Sequence, residues 1–124
     1  MIQNKNLNKY EKSWLEKMLS VDFVLKKDII SQINQADIVR QYTDFYLSIK
    51  FVGIYLAMNC SEYIGVPLEM RVYLGDNAPI QFLLHVKNGV VSELEVFKAD
   101  SSKIRSDIDL DNGKIEILID SRWR

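Results

Sequence analysis

The chain has a single histidine, His85, set in the alternating stretch Gln81-Phe82-Leu83-Leu84-His85-Val86. An imidazole beside a carboxylate can serve as a general base, because the carboxylate orients the ring and stabilises its charged form. Glu69, on a neighbouring candidate strand, is the carboxylate the pattern offers. A polar cross-strand pair on a sheet surface needs the same residues and nothing more. A catalytic assignment also needs a cleft and a third partner, which the sequence does not supply. The single thiol, Cys60, lacks a Cys-His signature around it and fits a small core residue. No serine sits in a Gly-x-Ser-x-Gly elbow, and the five glycines form no phosphate loop. The segment Asp107-x-Asp109-x-Asp111-Asn112-Gly113 resembles the opening of a calcium loop. Its glycine is displaced by one position, and Leu118 stands where the closing bidentate glutamate belongs. Tight calcium binding is therefore not expected. No catalytic, cofactor-binding or metal-ligating residue is assigned from the sequence.

Composition narrows the class. The 124 residues suit one domain, 1–124, and the 48% hydrophobic and 27% charged content suits a packed globule rather than a disordered tail. Sixteen basic residues against 17 acidic ones give a net charge of −1, so no long-range field draws in nucleic acid or an anionic membrane. Tyr42, Tyr46, Tyr55, Tyr63 and Tyr73 could stack bases, but basic companions are missing and tyrosine suits strands by propensity alone. One cysteine permits no intrachain disulfide. The opening Met1-Ile2-Gln3-Asn4-Lys5-Asn6 has no apolar signal region, and the longest apolar run, Phe51 to Met58, is too short to span a bilayer. A cytoplasmic protein without membrane contact is expected.

Two helices should open the fold. Asn8-Lys9-Tyr10-Glu11 has capping-box spacing, and Leu7, Trp14, Leu15, Met18 and Leu19 fall near one helical face. Ile29, Ile30, Ile33 and Ala36 form the stripe of a second helix over 25–36, with Asp28 near its positive end. After Ala36 the period drops from about 3.6 to about 2, which marks strands. Strands are expected over 38–42 and 45–52, with a turn at Thr43-Asp44. The stretch from Gly53 to Gly65 follows neither period and reads as irregular or a short strand. Val66, Leu68, Met70, Val72 and Leu74 share one face, continued after a loop over 75–79 by Ile80, Phe82, Leu84 and Val86.

Asn88-Gly89 normally suggests a two-residue hairpin loop. That register would turn Glu93 and Glu95 onto the core face, and burying unpaired carboxylates is costly. A three-residue loop, Lys87 to Gly89, shifts the pairing by one and turns both outward. Asn112-Gly113 suggests a second hairpin, pairing Leu110 with Ile115 and Ile108 with Ile117, with Asp111 and Lys114 as a charge pair beside the turn. The expected class is α+β, two N-terminal helices packed on a mostly antiparallel β-sheet. The expected core is Trp14, Leu15, Met18, Ile29, Ile33, Leu68, Met70, Val72, Phe82, Leu84, Leu94 and Val96.

This arrangement leaves an outward face carrying Tyr73, Leu83, Val91 and Phe97 among Glu69, Arg71, Gln81, His85, Glu93 and Glu95. Such a face is either partly covered by the chain itself or is a partner surface with aromatic anchors and a charged rim. Tyr73, His85, Glu93, Glu95 and Phe97 are its candidate contact residues, and the expected partner is a protein.

Two stretches carry a resemblance. Tyr46-Leu47-Ser48-Ile49-Lys50-Phe51 and Ser92-Glu93-Leu94-Glu95-Val96-Phe97-Lys98-Ala99-Asp100 resemble segments of a family of small bacterial proteins of unknown function, with Phe97 where that family often has Trp. The resemblance transfers no catalytic residue. Small domains of this kind often act as immunity partners of bacterial toxins, an analogy of fold rather than of site. The leading expectation is a non-enzymatic protein-binding module of that sort. The alternative is a small enzyme or small-ligand-binding protein whose site is assembled from dispersed residues.

Overall fold

The computed structural model describes residues 1–57, 65–75 and 78–123, with the backbone alone at 65–67. Cys60, Tyr63, most of the ambiguous stretch after Gly53, and Asp76-Asn77 of the expected loop lie outside them. The described residues form helices α1 (Lys9–Met18) and α2 (Lys26–Gln35). Strands β1 (Asp37–Thr43), β2 (Tyr46–Val52), β3 (Gly65–Tyr73), β4 (Ile80–Lys87), β5 (Val90–Lys98) and β6 (Lys114–Ile119) follow. The six strands make one sheet in the order β1-β2-β5-β4-β3-β6, and every neighbouring pair is antiparallel. The fold is α+β, with both helices at the N-terminus. Neither helix is long and apolar enough to cross a membrane.

Local chemistry explains where the helices begin and end. Asn8 Oδ1 accepts from the Glu11 amide at 2.9 Å, and Glu11 Oε1 accepts from the Asn8 amide at 2.9 Å, so the capping box is complete. The buried Glu11 carboxylate also takes both arms of the Arg40 guanidinium, at 2.9 and 2.7 Å, which ties α1 to β1 and raises the Arg40 pKa. Helix α2 has no side-chain cap at its start, where Leu25 is left-handed (φ 66°). Its far end is closed from outside: buried Asn4 donates to the carbonyls of Ile33 and Ala36 at 2.7 and 2.8 Å.

One sheet face and the apolar stripes of both helices form the core. All twelve expected core residues are buried. Trp14 meets Phe82 with ring centroids 5.3 Å apart, and its indole N–H donates to the Ile108 carbonyl at 2.8 Å. Leu47, Ile49 and Phe51 of β2 extend the same buried layer, and Trp123 is buried as well.

The β4–β5 connection departs from the expected three-residue loop. Lys87 pairs with Val90 and Val86 with Val91, so the loop is Asn88-Gly89, both left-handed (φ 54° and 75°), as a type I′ turn requires. The next pair is His85 with Glu93. Ser92 is thus an extra residue, a β-bulge that flips the parity of everything after it. Phe82 faces Val96, Leu84 faces Leu94, and Ile80 faces Lys98. Both glutamates still turn outward, but Val91 turns inward and is fully buried, contrary to its expected place on the outward face.

The expected C-terminal hairpin does not form either. Leu110–Asn112 is a short 3₁₀ turn whose start is capped by Asp109, which accepts from the Asp111 amide at 2.9 Å. β6 then pairs with β3, placing Ile115 beside Val72, Ile117 beside Met70 and Ile119 beside Leu68. Pairing with β3 completes ladder bonds along a strand already in the sheet, whereas an isolated hairpin would have lacked a packed face. Gly113 enters this ladder so closely that a Cβ there would lie 2.7 Å from Val72 Cγ1.

Candidate functional site

Both helices pack on the inner sheet face. On the outer face of the described strands every side chain but one stays half-buried or exposed; Ser48, at 1% exposure, is the exception. Antiparallel register arranges these side chains in rows. One row runs Val39, Lys50, Glu93, His85; the next Gln41, Ser48, Glu95, Leu83, Glu69, Leu118; a third Thr43, Tyr46, Phe97, Gln81, Arg71, Glu116.

Near the centre of this face five polar side chains from three strands converge. The Tyr46 hydroxyl lies 2.9 Å from Glu93 Oε2 and 2.9 Å from Glu95 Oε2. Ser48 donates its hydroxyl to Glu93 Oε2, and His85 Nε2 meets Glu95 Oε1. Burial, then the hydrogen bonds to Glu95 and Glu93, push the Tyr46 phenol far above its ordinary 10.0, because ionising it would place a third negative charge beside two carboxylates. The imidazole, with one oxygen from each glutamate, forms a set of donor atoms within 4.8 Å of one another.

Of the expected contact residues, His85, Glu93 and Glu95 are brought together. Phe97 follows in the adjoining row beside Tyr46. With Phe45, Tyr46, Glu95, Lys98 and Ser101 it lines a shallow cleft next to the cluster. Phe45 is half exposed at the β1–β2 turn. Tyr73 stands apart, opposite Lys114, with its phenol pKa raised chiefly by a hydrogen bond to Glu116. The expected His85–Glu69 pairing is not found. Glu69 faces Leu83 and takes the Arg71 guanidinium, while the carboxylate beside His85 is Glu95. Ser48 is not singled out by the sequence, and Tyr46 enters there only among the tyrosines that could stack bases. Their outward period-2 spacing is legible there, but not the strand order that sets β2 against β5.

Chemically, the cluster can hold a cation, offer carboxylates to a basic group, or share protons along the Tyr46–Glu95–His85 chain. Ser48 is buried beneath the carboxylates with its proton committed to Glu93, which leaves it ill placed as a nucleophile. In the calcium-like segment, Asp107 is held by Arg105 through two 2.8 Å bonds, which lower its pKa, and Asp109 caps the 3₁₀ turn. No protein-family model matches the chain, and no curated protein or solved structure is significantly similar to it.

Proposed function

We propose that the chain is a non-enzymatic protein-binding module that receives a basic partner surface on its outer sheet face. The observation that carries this reading is the juxtaposition of outward carboxylates, Glu93 and Glu95, with the aromatic cleft of Phe45, Tyr46 and Phe97. Aromatic anchors give large contact area at low entropic cost, and carboxylates already fixed by Tyr46 and Ser48 lose little freedom when a partner arrives. With a net charge of only −1, attraction would come from this local patch and not from the field of the whole molecule. An immunity factor that covers the basic active site of a nuclease toxin is one concrete form of such a module.

The polar cluster also favours a second reading, a small-ligand site built from dispersed residues of β2, β4 and β5. Capture of partners from the native host, followed by affinity measurement on the purified pair, separates the two. Phe97→Ala combined with Glu93→Gln should weaken a protein partner at least about 100-fold, as loss of a central anchor and its charge does. The remaining affinity should be less salt-sensitive than the parent's. An unchanged dissociation constant in the folded double variant would remove the face from consideration.

A further inference from the structure

We infer that His85, Glu93 and Glu95 form a binding site for one divalent transition-metal cation of the Zn²⁺ or Mn²⁺ class. The site stands on the cluster alone and does not depend on a protein partner. Its first support is the donor set. One imidazole nitrogen and two carboxylate oxygens lie within 4.8 Å of one another. Three ligands at about 2.0–2.2 Å from one tetrahedral ion lie roughly 3.3–3.6 Å from one another, so side-chain adjustments of about an ångström close the set. A mixed nitrogen and oxygen set suits Zn²⁺, Mn²⁺ or Fe²⁺ better than the all-oxygen cages of Ca²⁺.

Proton accounting supplies an independent support. The cluster contains four close polar contacts: Tyr46 with Glu93, Tyr46 with Glu95, Ser48 with Glu93, and His85 with Glu95. Tyr46, Ser48 and His85 Nε2 can bring three hydrogens to them, since a hydroxyl carries one proton and ionised carboxylates bring none. With both carboxylates ionised, the single Tyr46 proton is shared between two carboxylate oxygens, each 2.9 Å away. A cation drawing on both carboxylates removes that deficit. Its double positive charge also matches the two carboxylates beside a neutral imidazole.

The surroundings fit a metal centre. Tyr46 and Ser48 become the outer partners that orient the ligating carboxylates from the β2 side. The ligands sit on adjacent strands, with His85 directly across from Glu93. His85 and Glu95 side chains remain 27% and 24% exposed, which leaves coordination positions for water. On binding, the ion takes the Nε2 lone pair. The Nε2 proton leaves to solvent, and a neutral ring takes one proton back at Nδ1, so the bound imidazole keeps a single N–H.

Because His85 is the only histidine, its ring C–H signals in a proton NMR spectrum belong to it alone. The test titrates the Cys60→Ser chain with Zn²⁺ alone, so that the one thiol contributes nothing, and repeats it with Mn²⁺. The expected result is a shift of both ring signals saturating at one equivalent of Zn²⁺, and broadening of the same signals by substoichiometric Mn²⁺. In calorimetry, His85→Ala and Glu95→Gln should each weaken Zn²⁺ at least about tenfold, the scale on which even outer-sphere changes act. Ring signals that stay fixed under excess Zn²⁺, or either variant binding Zn²⁺ as tightly as the parent, would overturn the assignment. The NMR titration needs no change within the cluster, so it decides the matter even if a variant fails to fold.

Discussion

Replacing Gln32 with leucine should unsettle the β4–β5 hairpin from the opposite side of the sheet. The Gln32 side chain is buried on α2, where its amide donates to the carbonyls of Gly89 and Leu56, each at 3.0 Å. Its oxygen accepts from the Val91 amide at 2.8 Å. The Gly89 carbonyl and the Val91 amide belong to the turn and the bulge, where the regular ladder cannot satisfy them. Leucine fills similar space without a polar atom. The Leu56 carbonyl belongs to an exposed residue and can turn to water, but Gly89 and Val91 are buried. Two orphaned buried groups cost about 1–3 kcal/mol each. The added apolar burial returns part of that, roughly 1–2 kcal/mol, so at the middle of the two ranges a net loss of about 2–3 kcal/mol is expected. At ~2.1 cal/mol/K of unfolding entropy per residue, this is a drop in melting temperature of roughly 8–12 °C. Denaturant titration measures the loss, and hydrogen exchange at the Val91 amide locates it. The bulge also sets the outward parity of Glu93 and Glu95, so the His85 ring signals should shift as well. A loss below about 1 kcal/mol with Val91 exchange still slow would show that the bulge sustains itself without Gln32.

Gly113→Ala should destabilise by about 1–3 kcal/mol through overpacking, because the new methyl meets the buried, branched Val72 at 2.7 Å and Leu74 at 3.1 Å; the backbone is extended there (φ −118°), so steric contact alone is tested, and an unchanged denaturation midpoint would contradict the close approach of β6 to β3. At alkaline pH the sign follows from Tyr46: its folded pKa is raised above the ordinary 10.0, so its contribution is complete below pH 10 and is lost as pH rises toward the folded value. Phenolate absorbance of the native chain and of Tyr46→Phe should therefore coincide until the native chain unfolds, whereas a deficit of one phenolate in the variant near pH 10 would show Tyr46 ionising freely.

Much of the fold was legible because its causes are local. The Asn8–Glu11 box lies within four residues, and the alternation of Ile80 to Val86 needs only the pleat. The outward placement of Glu93 and Glu95 was also legible, since it follows from the cost of burying carboxylates. How the chain achieves it was not. A longer loop and a bulge both flip parity, and nothing about Ser92 marks it as the inserted residue. What makes the bulge tolerable is Gln32, 59 residues before Val91. Asn112-Gly113 misled for a related reason. The same dipeptide serves a type I′ turn at Asn88-Gly89 and a 3₁₀ turn here, and the choice was made by the open edge of β3, not by the turn.

The candidate site depends on that distant arrangement. Its imidazole comes from β4, its carboxylates from β5, and the hydroxyls that hold them from β2, so it exists only because β5 lies between the other two strands. Sequence order places β2 far from β5 and gives no hint that Tyr46 and Glu93 meet. Position within the sheet also bears on stiffness. Strands paired on both sides open only in near-global unfolding, whereas edge strands fray. The edges here are β1 and β6, and no member of the cluster lies on either. Glu93, Glu95 and His85 are therefore carried on the least mobile part of the sheet, while Tyr73 reaches out toward edge strand β6. Preorganisation of that kind favours whatever binds at the cluster, cation or basic side chain, because the ordering cost has already been met in folding.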